Sequence, residues 1–464
     1  MKSELCLKRF AAIAVLLFAP CGFAQKLASI LTSDTPDALR TDAPKEVIEW
    51  FRNAAIPLKT TGPEADLEDT LPLRSVVSAA RIVAMGEATH GTREFFQMKH
   101  RMLEFLVEKM GFTVFGIEAN WPESLAVNDY VLKGKGDPAV VLAGLYFWTW
   151  NTEEVLNMIR WMRRYNEDPS HTNKVQFFGF DMQIARVAVS NVEDYLRRVD
   201  LQQYHTTGDV LAPLVDEASE RTYAQRAKDS RRQTAEGIKS LLAVFDQRKR
   251  DYIASSSQQE WVLARHNLEI VMQAEELYSS KNPGVRDRYM AENVKWILDH
   301  EPSGAKMMLW AHNEHVWTTA TMRGNPMGKV LRQMYGKQMV VCGFAFDQGS
   351  FRAVPPPRGN VRGRSTFLVG PAPPNTWESA LAATRLPLFA VDLRRSTTGT
   401  AREWLEKPHP MRMIGAVYNE FSPGAFFIPV SRDSFDVIFF VNRTSASQEN
   451  SPVPRQVERD FGQG

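Results

Sequence analysis

Apolar residues in this chain gather in seven short continuous runs. They are RIVAMGE (81–87), TVFGIEA (113–119), KVQFFGFD (174–181), KMMLWAHN (306–313), KQMVVCGFAF (337–346), LPLFAVDL (386–393) and FDVIFFVN (435–442). Continuous runs, unlike alternating ones, are expected of strands covered on both faces. Helical stretches separate them, so the order predicts βαβ units: an α/β fold with a mostly parallel central sheet flanked by helices. The helix after the first run shows the pattern. Phe95, Met98, Met102, Phe105 and Leu106 recur at helical spacing and give one face to the sheet. Thr92 is placed to cap its N-terminus, Glu94 falls in the first turn, and Gly111 follows as a stop signal. Another helix is expected near Pro44 to Arg52.

The strand signal vanishes between Asp181 and Gly304. Residues 182–304 read as a charged helical insertion, either a lid over the sheet or a subdomain with solvated faces. Residues 355–375 form a Pro/Gly/Arg-rich surface loop, long enough to edge a site.

Four of the apolar runs finish in ionisable groups. Glu87 ends the first, with His90 in the turn GEATHG behind it. Glu118 ends the second and Asp181 the third. His312 and His315 follow the fourth, in LWAHNEH. In parallel α/β sheets ligands bind outside the carboxyl ends of strands, so these side chains are expected to share one pocket. The chain has no GxSxG, no Walker loop and no GxGxxG after a strand. That leaves acid–base or metal chemistry. A carboxylate beside a histidine fixes its tautomer and raises its basicity, so the pair can take a proton from water. The same set, His90, His312 and His315 with a carboxylate, would also satisfy zinc or iron. The histidines of HNEH are three residues apart, whereas a helical HExxH pair is four apart. A metal- or haem-binding periplasmic protein is therefore the alternative to a hydrolase.

The first residues read MKSELCLKRFAAIAVLLFAPCGFAQ: a basic start, a short apolar run and a small-residue cleavage pattern ending at Ala24. Residues 1–24 are expected to be a signal peptide, leaving 25–464 as the mature domain in the periplasm or outside the cell. Removing them takes three bases and one acid from 56 and 54, leaving 53 of each sign. A neutral chain gives no reason to expect nucleic acid, and no stable membrane insertion is expected after cleavage. Cys342 is then the last cysteine, in a run that reads as buried strand, so no intrachain disulfide is possible. The sequence leaves the oligomeric state open.

GEATHGTREFF, FGIEAN, YFWTWNTEEVLNMIRWMRRYN (146–166), FFGFD, RDRYMAENVKWIL (286–298) and LWAHNEH resemble the erythromycin esterase family, in order across about residues 80–350. The resemblance implies an α/β protein with a large helical portion and a cleft. Characterised members open the macrolactone of erythromycin-type antibiotics and so confer resistance. It implies His90 as general base, with Glu87, Glu118 and His312 as its catalytic companions. It also implies water attack without a serine nucleophile, no cofactor or obligatory metal, and a small-molecule ester or lactone as substrate. His315, Lys99, Asp181 and Arg286 are expected to line the substrate site. Lys99 departs from the arginine of the macrolide-cleaving enzymes, keeping the charge but losing the planar fork. Asp287 and Asn293 are further cleft candidates or ordinary helix residues. Tyr146, Phe147, Trp148 and Trp150 form either an apolar substrate wall or core.

Overall fold

A computed structural model describes residues 41–215, 219–321, 324–356 and 363–450. The signal segment 1–24 and the middle of the 355–375 loop lie outside them. Among the described residues nine strands form one sheet. They are β1 (Ala55–Pro57), β2 (Ile82–Met85), β3 (Val114–Asn120), β4 (Gln176–Asp181), β5 (Met307–Trp310), β6 (Met339–Ala353), β7 (Ser365–Val369), β8 (Leu388–Asp392) and β11 (Val437–Thr444). Strands β9 (His409–Arg412) and β10 (Phe427–Val430) make a separate two-stranded ladder.

The sheet runs β1-β8-β11-β6-β2-β5-β3-β4, with β7 paired to the end of β6. From β11 to β4 every pairing is parallel. β8 and β1 add an antiparallel edge, and β7 is antiparallel to β6. Each of the seven apolar runs contains a strand. The unpredicted strands are short or marginal: β1 has three residues and ends in Pro57, β9 contains Pro410, and β7 is largely exposed.

The strands read as continuous apolar runs because both faces are covered. Ile82 and Ala84 of β2 belong to one buried cluster, with residues of the helices Arg186–Val199, Gln258–Ser279 and Val285–His300. Val83 and Met85 belong to another, with residues of the helices Arg93–Met110 and Glu153–Glu167. Between β4 and β5 the described residues hold helices and no strand. Helix Arg93–Met110 buries Phe95, Met98, Met102, Phe105 and Leu106 and ends at Gly111 in the left-handed conformation. Thr92 does stand at its N-cap position, but its side chain makes no cap. It pairs instead with the Thr89 hydroxyl at 2.7 Å, inside the turn. No helix among the described residues is long and apolar enough to cross a membrane.

Candidate active site

The parallel arrangement brings the ends of β2, β3, β4 and β5 to one edge. Two clusters of side chains result. The inner one surrounds Glu87, which is fully buried at the end of β2. One of its oxygens takes the His90 Nδ1 hydrogen bond at 2.6 Å. The other accepts from Lys99 Nζ at 2.5 Å and Trp310 Nε1 at 2.8 Å. Lys99 has no exposed surface, so it reaches Glu87 rather than the cleft. Its ammonium lies over the Trp310 ring at 4.4 Å. Burial pulls Lys99 down from 10.5 to about 8, and the Glu87 carboxylate limits the fall.

The outer cluster is ionic. The β3–β4 register shifts between Ile117 and Asn120, a bulge that takes Glu118 out of the ladder. Gly179 of β4 makes this possible, since a Cβ there would stand 2.3 Å from the Ala119 carbonyl. Freed from the ladder, Glu118 accepts the His312 backbone N–H at 2.9 Å and Arg286 Nη2 at 2.7 Å. Arg286 also grips Asp181 through Nε and Nη2, the latter at 2.6 Å. His315 places Nδ1 2.8 Å from Asp287 and Nε2 3.4 Å from Glu118.

Burial would raise the Glu118 carboxyl, but the charges of His315 and Arg286 outweigh it and hold the group well below the usual carboxylate range. Burial likewise opposes the charge on His315, yet Asp287 and Glu118 lift it from 6.5 to about 9. The Arg286 guanidinium opposes that lift on His315. Its Nε2 lies 3.1 Å from Arg286 Nη1. The guanidinium can only donate, so the His315 Nε2 lone pair accepts this hydrogen bond while Nδ1 faces Asp287.

His312 sits between the clusters. Its Nδ1 accepts the Glu314 N–H at 3.2 Å, capping the short helix Asn313–Val316. Its Nε2 is buried and meets no partner at hydrogen-bonding geometry. Burial drives its basicity well below 6.5, and His90 and His315 push the same way. Glu118 and the nearby Ala88 carbonyl pull weakly in the other direction. The His90 and His312 rings face each other with centroids 5.1 Å apart. Trp150 closes one side of His90, edge to face at 5.7 Å, and its Nε1 donates to the Glu118 carbonyl at 2.8 Å. Solvent reaches the site at the His90 ring, 11 % exposed, and at the side chains of His315 and Arg286, 19 % and 21 % exposed.

The eight residues singled out from sequence thus fall into one connected region. Glu87, rather than Glu118, holds the His90 ring. Asn293 turns away, bonding the Phe180 carbonyl and Gln273. Trp150 is core, while Tyr146, Phe147 and Trp148 are half-buried. Sequence reasoning missed Trp310 as a partner of Glu87. The signal was there: an indole in a buried strand must find an acceptor for its N–H. Among the described residues no group of three or more His, Cys, Asp or Glu side chains is arranged to hold a metal. Nδ1 of His90 and both ring nitrogens of His315 are turned to carboxylates instead.

A mostly parallel sheet whose carboxyl rim carries a buried imidazole–carboxylate pair defines an α/β protein with its candidate site at the strand ends. The chain belongs to the erythromycin esterase family, whose model matches residues 107–444, and it is a hydrolase of ester bonds. The matched span opens inside helix Arg93–Met110, so Glu87, His90 and Lys99 precede it. The chain is 27% identical over 337 residues to the erythromycin esterase type II of Escherichia coli, covering 66% of this chain and 79% of the relative. It is 22% identical over 396 residues to the putative hydrolase YbfO of Bacillus subtilis (strain 168), covering 77% and 84%. Its fold matches a crystal structure of a Bacillus cereus protein with a TM-score of 0.77 and 27% identity, over 88% of this chain and 99% of that one. A succinoglycan biosynthesis protein matches with a TM-score of 0.75 and 25% identity, over 88% and 98%. An erythromycin esterase (EreC) mutant in its open conformation shares the fold at a TM-score of 0.65 and 17% identity, over 84% and 97%.

Proposed function

We propose that the protein is an exported esterase that opens a carboxylic ester or macrolactone with water activated at His90. The observation carrying this reading is a pair of neighbouring imidazoles, His90 and His312, each held through Nδ1 by a different kind of partner. Glu87 is held by three donors, so it acts as an acceptor only, and His90 carries its proton on Nδ1. His90 Nε2 is then a lone pair. His312 Nδ1 accepts the Glu314 N–H, so a neutral His312 carries its proton on Nε2. One ring thus offers a base and the other a hydrogen-bond donor, with ring centroids 5.1 Å apart.

An ester carbonyl between the rings receives the His312 Nε2–H on its oxygen. His90 Nε2 takes a proton from water as the water oxygen bonds to the carbonyl carbon. The carbonyl π pair moves to oxygen, where His312 stabilises it. As that pair returns, the carbon–alkoxy bond breaks, and the His90 imidazolium passes its proton to the leaving alkoxide. The products are an acid and an alcohol, or one ring-opened chain from a lactone. Glu87 stabilises the transient imidazolium, with Lys99 and Trp310 holding it in place. The outer ionic cluster anchors His312, because Glu118 holds its backbone.

The Escherichia coli relative's name favours a macrolide, and the N-terminal segment favours export. Hydrolysis of an ester and lactone panel including erythromycin, by wild type and His90→Ala, tests the reading. A true substrate should lose about 10²-fold or more in rate. Equal rates would remove His90 from the reaction.

A further inference from the structure

The segment Arg412–Tyr418 runs along the turn that carries His90. Ile414 N–H donates to the Ala88 carbonyl at 2.8 Å, and His90 N–H donates to the Gly415 carbonyl at 3.2 Å. Beyond it, Val354 N–H donates to the Ala416 carbonyl at 2.8 Å and Tyr418 N–H to the Val354 carbonyl at 3.0 Å. The backbone is therefore pinned on both sides of residue 415 and against the turn that carries the base.

Gly415 has a φ of +64°, in the left-handed region. A Cβ built on it would meet, apart from its chain neighbours, only His312 Nε2, at 4.0 Å. Gly179 is different, since backbone fills the place of its side chain. At Gly415 the place is open, and it borders the nitrogen that also lacks a partner. The missing side chain would point into the space that a substrate carbonyl needs beside His312.

We propose that Gly415 is a specificity-determining position, whose lack of a side chain admits esters that are bulky next to the carbonyl. The inference rests on the esterase reading above. A methyl group at residue 415 would stand in van der Waals contact with His312 Nε2. It would leave room for an acetyl group and crowd a branched acyl group or a large ring. An added methyl group against a substrate changes discrimination by about 10-fold or more.

The test uses the p-nitrophenyl esters of acetate, isobutyrate and pivalate, with kcat/KM measured for wild type, Gly415→Ala, Gly111→Ala and His90→Ala. Gly111 controls for backbone strain: its φ is +72°, and a Cβ there meets nothing within 4 Å. Gly415→Ala should lower the pivalate-to-acetate ratio about 10-fold or more, with isobutyrate between, while Gly111→Ala leaves the ratio within about 2-fold of wild type. An equal loss on all three esters in Gly415→Ala, or the same graded loss in Gly111→Ala, would overturn the assignment while leaving the esterase reading intact. Wild-type rates no higher than those of His90→Ala on every ester would overturn that reading, and this inference with it.

Discussion

His90 and His315 both sit beside carboxylates at the same rim, yet their surroundings make them different groups. His90 bonds Glu87 through Nδ1, in a pocket where Lys99 and Trp310 satisfy the rest of that carboxylate. His315 has Asp287 against one nitrogen and Glu118 and Arg286 against the other, and the two carboxylates raise its basicity. A ring with one nitrogen free can exchange a proton with a substrate. A ring engaged at both nitrogens ties structure together. His312 shows a third outcome: burial, with two histidine neighbours, drives its basicity down, and its Nε2 is left without a partner. Neighbouring groups, not residue type, separate base, donor and clamp.

The contrast is broken most sharply by comparing His312→Ala with His315→Gln. Losing a donor aimed at developing negative charge should cost about 10² in kcat with little change in KM. His315→Gln keeps the base and the donor, so it should cost less than about 10-fold. Equal losses would mean that the clamp takes part in the reaction.

A smaller effect sharpens the comparison through pH. The folded pKa of His315 is raised, from 6.5 to about 9. Folding stability gained from it is therefore complete below about pH 6.5 and is lost as pH climbs through about 9. The full shift corresponds to at most about 3 kcal/mol. Urea unfolding between these limits should show wild-type stability falling with pH. The slope contributed by this ring should be missing in His315→Gln, and an unchanged slope would place the titration elsewhere. Lys99 acts in the opposite sense. Its pKa is depressed, so the strain of burying its charge is relieved above about pH 8, and His315→Gln should expose that rise.

Much of this was legible in the sequence. Two-sided burial left continuous apolar runs, and each run became a strand. Their polar ends, Glu87, Glu118, Asp181 and His312, stand at the rim where parallel topology puts them. What was hidden depends on contacts across long stretches of chain. The grip of Trp310 on Glu87 spans 223 positions. The bulge that frees Glu118 requires Gly179 on the neighbouring strand. Gly415 lies in an irregular segment between β9 and β10, where no periodic pattern marks its approach to Ala88 and His90. Lys99 was expected in the cleft from the family resemblance, which does not say that the side chain points inward at Glu87.

Nitrogen NMR of the imidazole rings near neutral pH, with resonances assigned by loss in His90→Ala and His312→Ala, reads the central claim directly. His90 should carry a proton on Nδ1, and His312 should appear as the neutral tautomer protonated at Nε2. Finding both rings in the same tautomer, or His312 charged, would contradict the pairing of base and donor.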